Sequence, residues 1–274
     1  MKKIFLYSLA IALLASCNEK KVENAEQDES ALSELRSVTV DKKYELQLPD
    51  SLKYADDRFF SELNIFISWP EKINGKTPTE LQQRILAKAF DERKTPYKNL
   101  EEALNTVKSE PLGYEGESGV TQKEISVIPD DELRISTLLV EAYPAYMNSR
   151  LWTYYVMNYF YPAGAAHGVG KDYYVNYDVK NGKVVTIGQL FSNMAAVKEC
   201  IDRELSRKQQ YEGYLLVDEI PNPENFYVNN YTICFVFNPY EVAAYAAGVV
   251  SVEIPIYELS DYMTDYGKTL FQLQ

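Results

Sequence analysis

Regular patterns of apolar and polar residues predict most of the strands. Alternation runs from Ser37 to Leu46 and again from Arg58 to Trp69, where Pro70 ends it. Residues 151–161 (LWTYYVMNYFY) are apolar or aromatic on both faces, which is typical of a central strand. Similar patterns predict further strands at 133–139, 173–179, 183–187, 231–237 and 250–256.

Helical periodicity separates these strands. Residues 77–80 (TPTE) match a capping box in which Thr77 is the cap, and an apolar stripe follows it to Phe90. Asn99 repeats the capping pattern, and apolar spacing predicts another helix over 194–205. Because runs of strands are separated by a few helices, the sequence predicts an α+β fold with a mainly antiparallel sheet and a few packed helices.

Two turns carry local signals. Asn181-Gly182 predicts a hairpin after the strand at 173–179, in which alternation predicts one buried face and one polar face. Residues 238–241 (NPYE) place an N-cap residue, a proline and a glutamate as a helix start requires. The motif therefore predicts a short helix that ends at Gly248, rather than a binding site.

The N-terminus predicts where the protein resides. Residues 1–17 (MKKIFLYSLAIALLASC) have a basic start and an apolar stretch too short to cross a membrane, as in a secretory signal. Their end resembles the lipobox of bacterial lipoproteins, which implies cleavage before Cys17 and lipid attachment to its thiol. An ordinary signal with a stray cysteine is the alternative. Residues 18–35 are charged and poor in aromatics, which predicts a flexible tether. The protein is therefore expected at the cell envelope, held in the membrane by its N-terminal lipid, with Asn18 favouring the outer membrane.

Charge and cysteine content narrow the partners. The chain has 28 basic and 40 acidic residues and a formal net charge of −12. An acidic surface disfavours nucleic acid and suits a basic partner, although solubility alone explains it equally well. Cys200 and Cys234 are interpreted as buried free thiols, with a disulfide between them as the alternative.

Catalytic motifs are missing from the sequence. The glycine-rich loop at 161–170 contains His167, the sole histidine, whereas a deacetylase-type metal site needs several. The sequence has no nucleophile elbow, phosphate loop, dinucleotide fingerprint or EF-hand pattern. We therefore predict no catalytic residue, no metal and no cofactor. For His167 we favour a structural role first, a role in recognising a partner second, and a catalytic role last.

Tyrosines surround this loop and suggest a contact surface. The chain has 23 tyrosines, and core packing is favoured for most of them, yet exposed aromatic rings also stack on sugars and anchor protein interfaces. Asn176 and Asp178 share a strand face. A glycosidase would need paired carboxylates, and we favour this interpretation less because such pairs arise by chance among forty acidic residues. The residues predicted to contact a partner are Gly164, His167, Gly168, Tyr173, Tyr174, Asn176 and Asp178.

Three motifs in the second half resemble the RsiV-like domain family (domain of unknown function, family 3298). They are GAAHG at 164–168, NYD with NGK and LF within 176–191, and FNPYEVAAYAAG at 237–248. The first has one extra alanine relative to the family loop, and in the last Ala243-Ala244 replaces Ala-Pro. The upstream segment resembles, more loosely, the companion family 4163. The predicted domains are therefore a 4163-like region at 36–149 and an RsiV-like domain at 150–262.

The resemblance implies a binding function. Characterised relatives include the extracellular part of an anti-sigma factor that binds lysozyme and an accessory region of a peptidoglycan deacetylase. We therefore expect a non-catalytic domain that binds a peptidoglycan-derived glycan or a basic wall-degrading enzyme such as lysozyme. The alternatives are an envelope glycan hydrolase that uses acidic residues and a structural envelope protein without a soluble ligand.

Overall fold

The computed structural model describes residues 33–53, 57–90, 96–130, 134–211, 213–229 and 231–273. Cys17, the predicted signal peptide and the tether up to residue 32 lie outside the described residues. Within the described ranges, no helix combines the length and apolar character needed to cross a membrane.

Seven strands form the larger sheet. They are β1 (Ser33–Gln47), β2 (Phe59–Ile73), β3 (Thr121–Ile125), β4 (Ile135–Met147), β5 (Leu151–Tyr161), β6 (Val169–Asp178) and β7 (Lys183–Val185). The order across the sheet is β3-β1-β2-β4-β5-β6-β7, and every neighbouring pair is antiparallel except β2 and β4, which are parallel. The predicted α+β class with a mainly antiparallel sheet is confirmed.

Two helices cover one face of this sheet. Helix α1 (Thr79–Ala89) and helix α2 (Leu100–Ser109) bury their apolar stripes, with Leu81 and Ile85 fully inaccessible. Inward side chains of β5, such as Tyr154 and Val156, complete this first core. The opposite face, called here the open face, leaves Phe66 exposed at 44%.

A smaller sheet and four helices form the second core. The strands are β8 (Phe226–Val228), β9 (Thr232–Phe237) and β10 (Val250–Pro255), in the order β10-β9-β8. The helices are α3 (Ile187–Leu190), α4 (Met194–Ser206), α5 (Ile256–Leu259) and α6 (Asp265–Leu270). Val197 and Ile201 of α4 pack with Phe235 and Val252, all fully buried. Apart from Leu151, this second core is formed by residues from 185 onwards, whereas the predicted domain boundary at 149/150 falls between two paired strands of the larger sheet.

Asparagine side chains connect the two sheets. Asn225 accepts a hydrogen bond from the Tyr174 backbone N–H (2.9 Å) and donates one to the Asp172 carbonyl (2.7 Å). Asn238 accepts from the Asp172 N–H (2.7 Å), and its amide nitrogen lies 3.1 Å from the same carbonyl. Because β7 pairs only with the end of β6, these amides satisfy backbone groups that would otherwise be unpaired.

The predicted helix over residues 238–248 is wrong. The segment forms turns followed by a short 3-10 helix, Tyr245–Ala247. Glu241 does accept a hydrogen bond from the Asn238 N–H (2.8 Å), as the capping motif requires. The Asn238 side chain, however, bonds to β6, and Tyr240 takes a left-handed φ of 72° that no α-helix contains.

Other local predictions differ in detail. The predicted cap at Thr77 is wrong. Helix α1 begins at Thr79 with Pro78 in the N-cap position, and the Thr79 N–H bonds to the Thr77 carbonyl (3.0 Å) in a turn before the helix. The Asn99 cap is confirmed, since its side chain accepts from the Glu102 N–H. The hairpin at Asn181-Gly182 is also confirmed. Strands β3 and β8 and helices α3, α5 and α6 carry no signal that the sequence analysis used.

Candidate functional site

A row of four tyrosines crosses the boundary between the two sheets. Tyr143 and Tyr174 are the direct cross-strand neighbours of Tyr155 in the larger sheet. Ring centroids are 5.2 Å apart between Tyr143 and Tyr155, 5.4 Å between Tyr155 and Tyr174, and 4.6 Å between Tyr174 and Tyr227 of β8. The rings are tilted rather than parallel, which is a favourable geometry for aromatic pairs. We call these four residues the tyrosine row.

The strand period explains which way the row faces. Side chains alternate along β5, so Tyr155 points away from Tyr154, which is fully buried in the first core. The row therefore lies on the open face, where Tyr143 is 38% exposed and the other three rings are half-buried. Two residues further along each strand, the same face carries a second line of cross-strand neighbours: Phe66, Glu141, Met157 and Asp172.

Carboxylates accompany the tyrosine hydroxyls. The Tyr155 hydroxyl donates to Asp172 Oδ1 (2.7 Å), and the Tyr227 hydroxyl contacts Glu253 (3.4 Å). Burial, and secondarily the Asp172 charge, raises the pKa of Tyr174 to about 12. Burial and the hydrogen bond to Asp172 likewise raise the pKa of Tyr155 well above its ordinary value. The row thus presents neutral phenols beside negative charge at physiological pH.

The glycine loop lies at the edge of the open face. The exposed His167 ring stacks on Tyr245, with centroids 3.9 Å apart and planes 19° apart. The Tyr245 hydroxyl donates to the Gly168 carbonyl (2.8 Å), which is also 3.1 Å from His167 Nδ1. The Tyr159 ring lies so close to Gly168 that a Cβ there would overlap it. A side chain at 168 would therefore require the Tyr159 ring to move.

Three of the predicted contact residues lie at this open side. Gly168 lies against the Tyr159 ring, His167 precedes it in the loop, and Tyr174 is in the tyrosine row. Gly164 belongs to the same loop but lies against Arg134, because a Cβ on it would be 2.6 Å from the Arg134 guanidinium. Its φ of 79° also favours glycine.

The other three predicted contact residues lie elsewhere. Tyr173 points to the helix-covered face, where Lys88 Nζ lies 4.6 Å from its ring centroid. Asn176 is buried and joins β5 to β8, because it accepts from Thr153 (2.7 Å) and donates to the Phe226 carbonyl (2.7 Å). The C-terminal end of β6, where the sequence predicted a polar face, is thus covered by the second sheet.

Asp178 is buried and fully engaged by donors. It accepts hydrogen bonds from the Asn181 backbone N–H (2.8 Å), the Asn181 amide (2.7 Å) and the Tyr266 hydroxyl (2.9 Å). Asp178 is 2% exposed. These contacts stabilise the β6–β7 turn and the packing of α6 against it.

Cys200 and Cys234 are free and buried, which confirms the favoured interpretation. Burial raises the pKa of the Cys234 thiol to about 11, so it is protonated at neutral pH. In the ranges that the structure describes, no group of three or more His, Cys, Asp or Glu side chains converges as a metal would require.

Of the tyrosine row, only Tyr174 was among the predicted contact residues, and Tyr155 was interpreted as part of a strand that is apolar on both faces. Tyr143 sits at the predicted end of a strand, and its pairing with Tyr155 depends on the β4–β5 register, which a single sequence does not specify. Tyr227 lies in a three-residue strand without a periodic signal. Its contact with Tyr174 arises only when the asparagine side chains bring the second sheet alongside β6.

Comparisons with known proteins support the family resemblance. A family model described as "Protein of unknown function (DUF3298)" matches residues 189–257. The resemblance to family 3298 is therefore confirmed for that segment. None of the curated proteins searched matches the chain.

Two solved structures share the fold. One is a member of the DUF3298 family from Bacteroides fragilis NCTC 9343, with a TM-score of 0.63 and 18% identity over 89% of this chain and 98% of that one. The other is a DUF3298 family protein from Pseudomonas aeruginosa PAO1, with a TM-score of 0.54 and 15% identity over the same shares of the two chains. At these identities the similarity shows the fold alone.

Proposed function

We propose that this chain, which carries a DUF3298 domain, is a lipid-anchored binding protein of the cell envelope without catalytic activity of its own. Its partner is a basic wall-degrading protein such as lysozyme, or a peptidoglycan-derived glycan. The docking surface is the open face around the tyrosine row. Anchoring through Cys17 is part of the proposal and rests on the lipobox sequence.

The row of rings across both sheets is the observation that carries this proposal. Four tyrosines with adjacent centroids spaced 4.6–5.4 Å form one aromatic strip on strands rather than on loops. Tyrosine supplies large contact area at low entropic cost, and strands hold it in place before binding. Pre-organised aromatic strips of this kind are suited to docking.

The neighbouring charges favour a basic protein over a neutral glycan. Glu141 and Asp172 lie in the register next to the row, and Glu253 ends it at β10. Lys43, on the same sheet, is already bonded to Asp41 and Glu62. An arginine or lysine of a partner would meet both a carboxylate and an aromatic ring there.

The buried position of Asp178 supports binding over glycan hydrolysis. A glycosidase needs two carboxyl groups that reach the scissile bond, and Asp178 is inaccessible and accepts three hydrogen bonds. A hydrolase alternative would have to use other acidic residues of the chain.

Isothermal titration against lysozyme and against purified muropeptides tests the proposal. We expect saturable binding of lysozyme that weakens as salt rises, because the surface charges are screened. Tyr143→Ala should weaken binding by about tenfold, the effect of losing ~1.4 kcal/mol from an aromatic contact. The matched control is Tyr231→Ala, since Tyr231 is 79% exposed and lies in the β8–β9 turn, outside the ring pairs that form the row.

Three outcomes would contradict the proposal. One is no heat with lysozyme or muropeptides. Another is equal weakening by the Tyr143 and Tyr231 variants. The third is release of reducing ends from peptidoglycan by the purified protein, which would favour the hydrolase alternative instead.

A further inference from the structure

A cavity of about 640 Å³ lies on the face of the larger sheet opposite the tyrosine row. Its described lining comes from the C-terminal ends of α1 and α2, the loop after α2, and strands β4, β5 and β6. Leu138, Phe160 and Val169 from three neighbouring strands line its floor, and Val107 of α2 lines a wall. Its volume lies within the range of small-molecule sites.

Polar groups are set into this apolar lining. Asn158 occupies an inward position of β5 between Val156 and Phe160, where the strand pattern would place another apolar residue. Its amide nitrogen donates to the Ala89 carbonyl at the end of α1 (2.6 Å). The amide oxygen of Asn158 remains an acceptor suited to an N–H group of a ligand.

Charged residues of both signs line the same cavity. Lys171 is the cross-strand neighbour of Asn158 and is exposed, and Lys88 lies beside it over the Tyr173 ring. Glu110 and Glu115 line the side formed by the end of α2 and the loop after it. The negative end of the α2 dipole adds to the preference for a cation on that side.

This arrangement restricts the chemistry of the ligand. A fatty acid would pair with Lys171 and cover the apolar floor, but it would place nothing positive near Glu115. A polyamine would have the reverse defect and no apolar body. A zwitterion with an apolar side chain complements both charged sides, the floor and the Asn158 acceptor together.

We propose that the cavity between the ends of α1 and α2 and strands β4–β6 is a binding site for short, unblocked peptides with apolar side chains. The peptide carboxylate pairs with Lys171, its ammonium group pairs with Glu115, and an apolar side chain covers Phe160 and Val169. The site is independent of the tyrosine row, because the two lie on opposite faces of the sheet.

Calorimetric titration with leucyl-phenylalanine and its blocked forms tests this site. The free dipeptide should bind, and C-terminal amidation or N-terminal acetylation should each weaken binding by about tenfold, as expected for the loss of a charge-assisted hydrogen bond. Lys171→Ala should weaken the free dipeptide to the same extent and leave the amidated dipeptide unchanged. Glu115→Gln should show the corresponding pattern with the acetylated form.

This double comparison separates direct contact from general charge effects. Lys171 and Glu115 are exposed, so neither variant should alter the folded structure, which thermal unfolding checks. Tyr143→Ala serves as the control on the opposite face and should leave dipeptide binding intact. Failure of lysozyme binding would therefore not count against this site.

The inference would be overturned by no heat with the dipeptide at millimolar concentration. It would also be overturned if free and blocked dipeptides bound equally, or if a fatty acid bound while the dipeptide did not.

Discussion

Tyr155 shows how one side chain connects stability with the candidate surface. Its ring contacts Tyr143 on one side and Tyr174 on the other, and its hydroxyl is bonded to Asp172. The sequence pattern, which is apolar or aromatic on both faces of residues 151–161, did not distinguish Tyr155 from the buried Tyr154. It could not predict the partners of either ring, because cross-strand neighbours depend on register.

Alkaline pH should weaken this contact. Burial first, and then the hydrogen bond to Asp172, raises the pKa of Tyr155 above its ordinary value of 10.0, so the unfolded chain loses this proton at lower pH than the folded protein does. The stabilising contribution is therefore complete below pH 10 and is lost as pH rises beyond it. We expect Tyr155→Phe to melt at lower temperature than the wild type at pH 8, and the difference to shrink towards pH 11.

The control for this prediction is Tyr231→Phe, because Tyr231 is exposed and has no hydroxyl partner of this kind. Its melting temperature should follow that of the wild type at every pH. A Tyr155→Phe difference that stays constant from pH 8 to pH 11 would show that the hydroxyl contact does not depend on ionisation as described.

Among the strands and helices, the edge of β6 that faces the second sheet determines the conformation of the segment after β9. The strands themselves were largely predictable, and Leu151–Tyr161 coincides with the predicted central strand. The segment after β9 was not predictable, because the capping motif at 238–241 is local whereas the Asn238 side chain bonds to the backbone of β6, which is distant in sequence. Asn238 accepts a hydrogen bond from the part-buried Asp172 N–H, which a helix cap at the same position would leave without this acceptor.

Removing this connection should destabilise the protein. Asn238→Ala removes the side-chain acceptor of the part-buried Asp172 N–H, while Asn225 still donates to the Asp172 carbonyl, so we expect the free energy of unfolding to fall by about 1–3 kcal/mol. Urea denaturation followed by circular dichroism measures it. Asn222→Ala, at an exposed asparagine, should change the free energy by less than about 0.5 kcal/mol. Equal effects of the two substitutions would contradict the role given to Asn238.

At the scale of the whole molecule, the protein has two hydrophobic cores, and the tyrosine row contains residues from the sheets of both. The larger sheet and α1–α2 form the first core, and α4 with the small sheet forms the second. Sequence patterns predicted the α+β class and the position of α4. They could not show that three asparagines join the sheets, since each looks like an ordinary polar residue in a strand or loop. The tyrosine row depends on that junction, because Tyr227 comes from the second sheet.

Hydroxyl-radical footprinting of the protein with and without saturating lysozyme would locate the docking surface. We expect oxidation of Tyr143 and Tyr227 to fall in the complex, while oxidation of Tyr231 and Tyr257, which are 79% and 72% exposed, stays unchanged. Protection of Tyr231 or Tyr257 with no change at Tyr143 and Tyr227 would contradict the proposed docking surface.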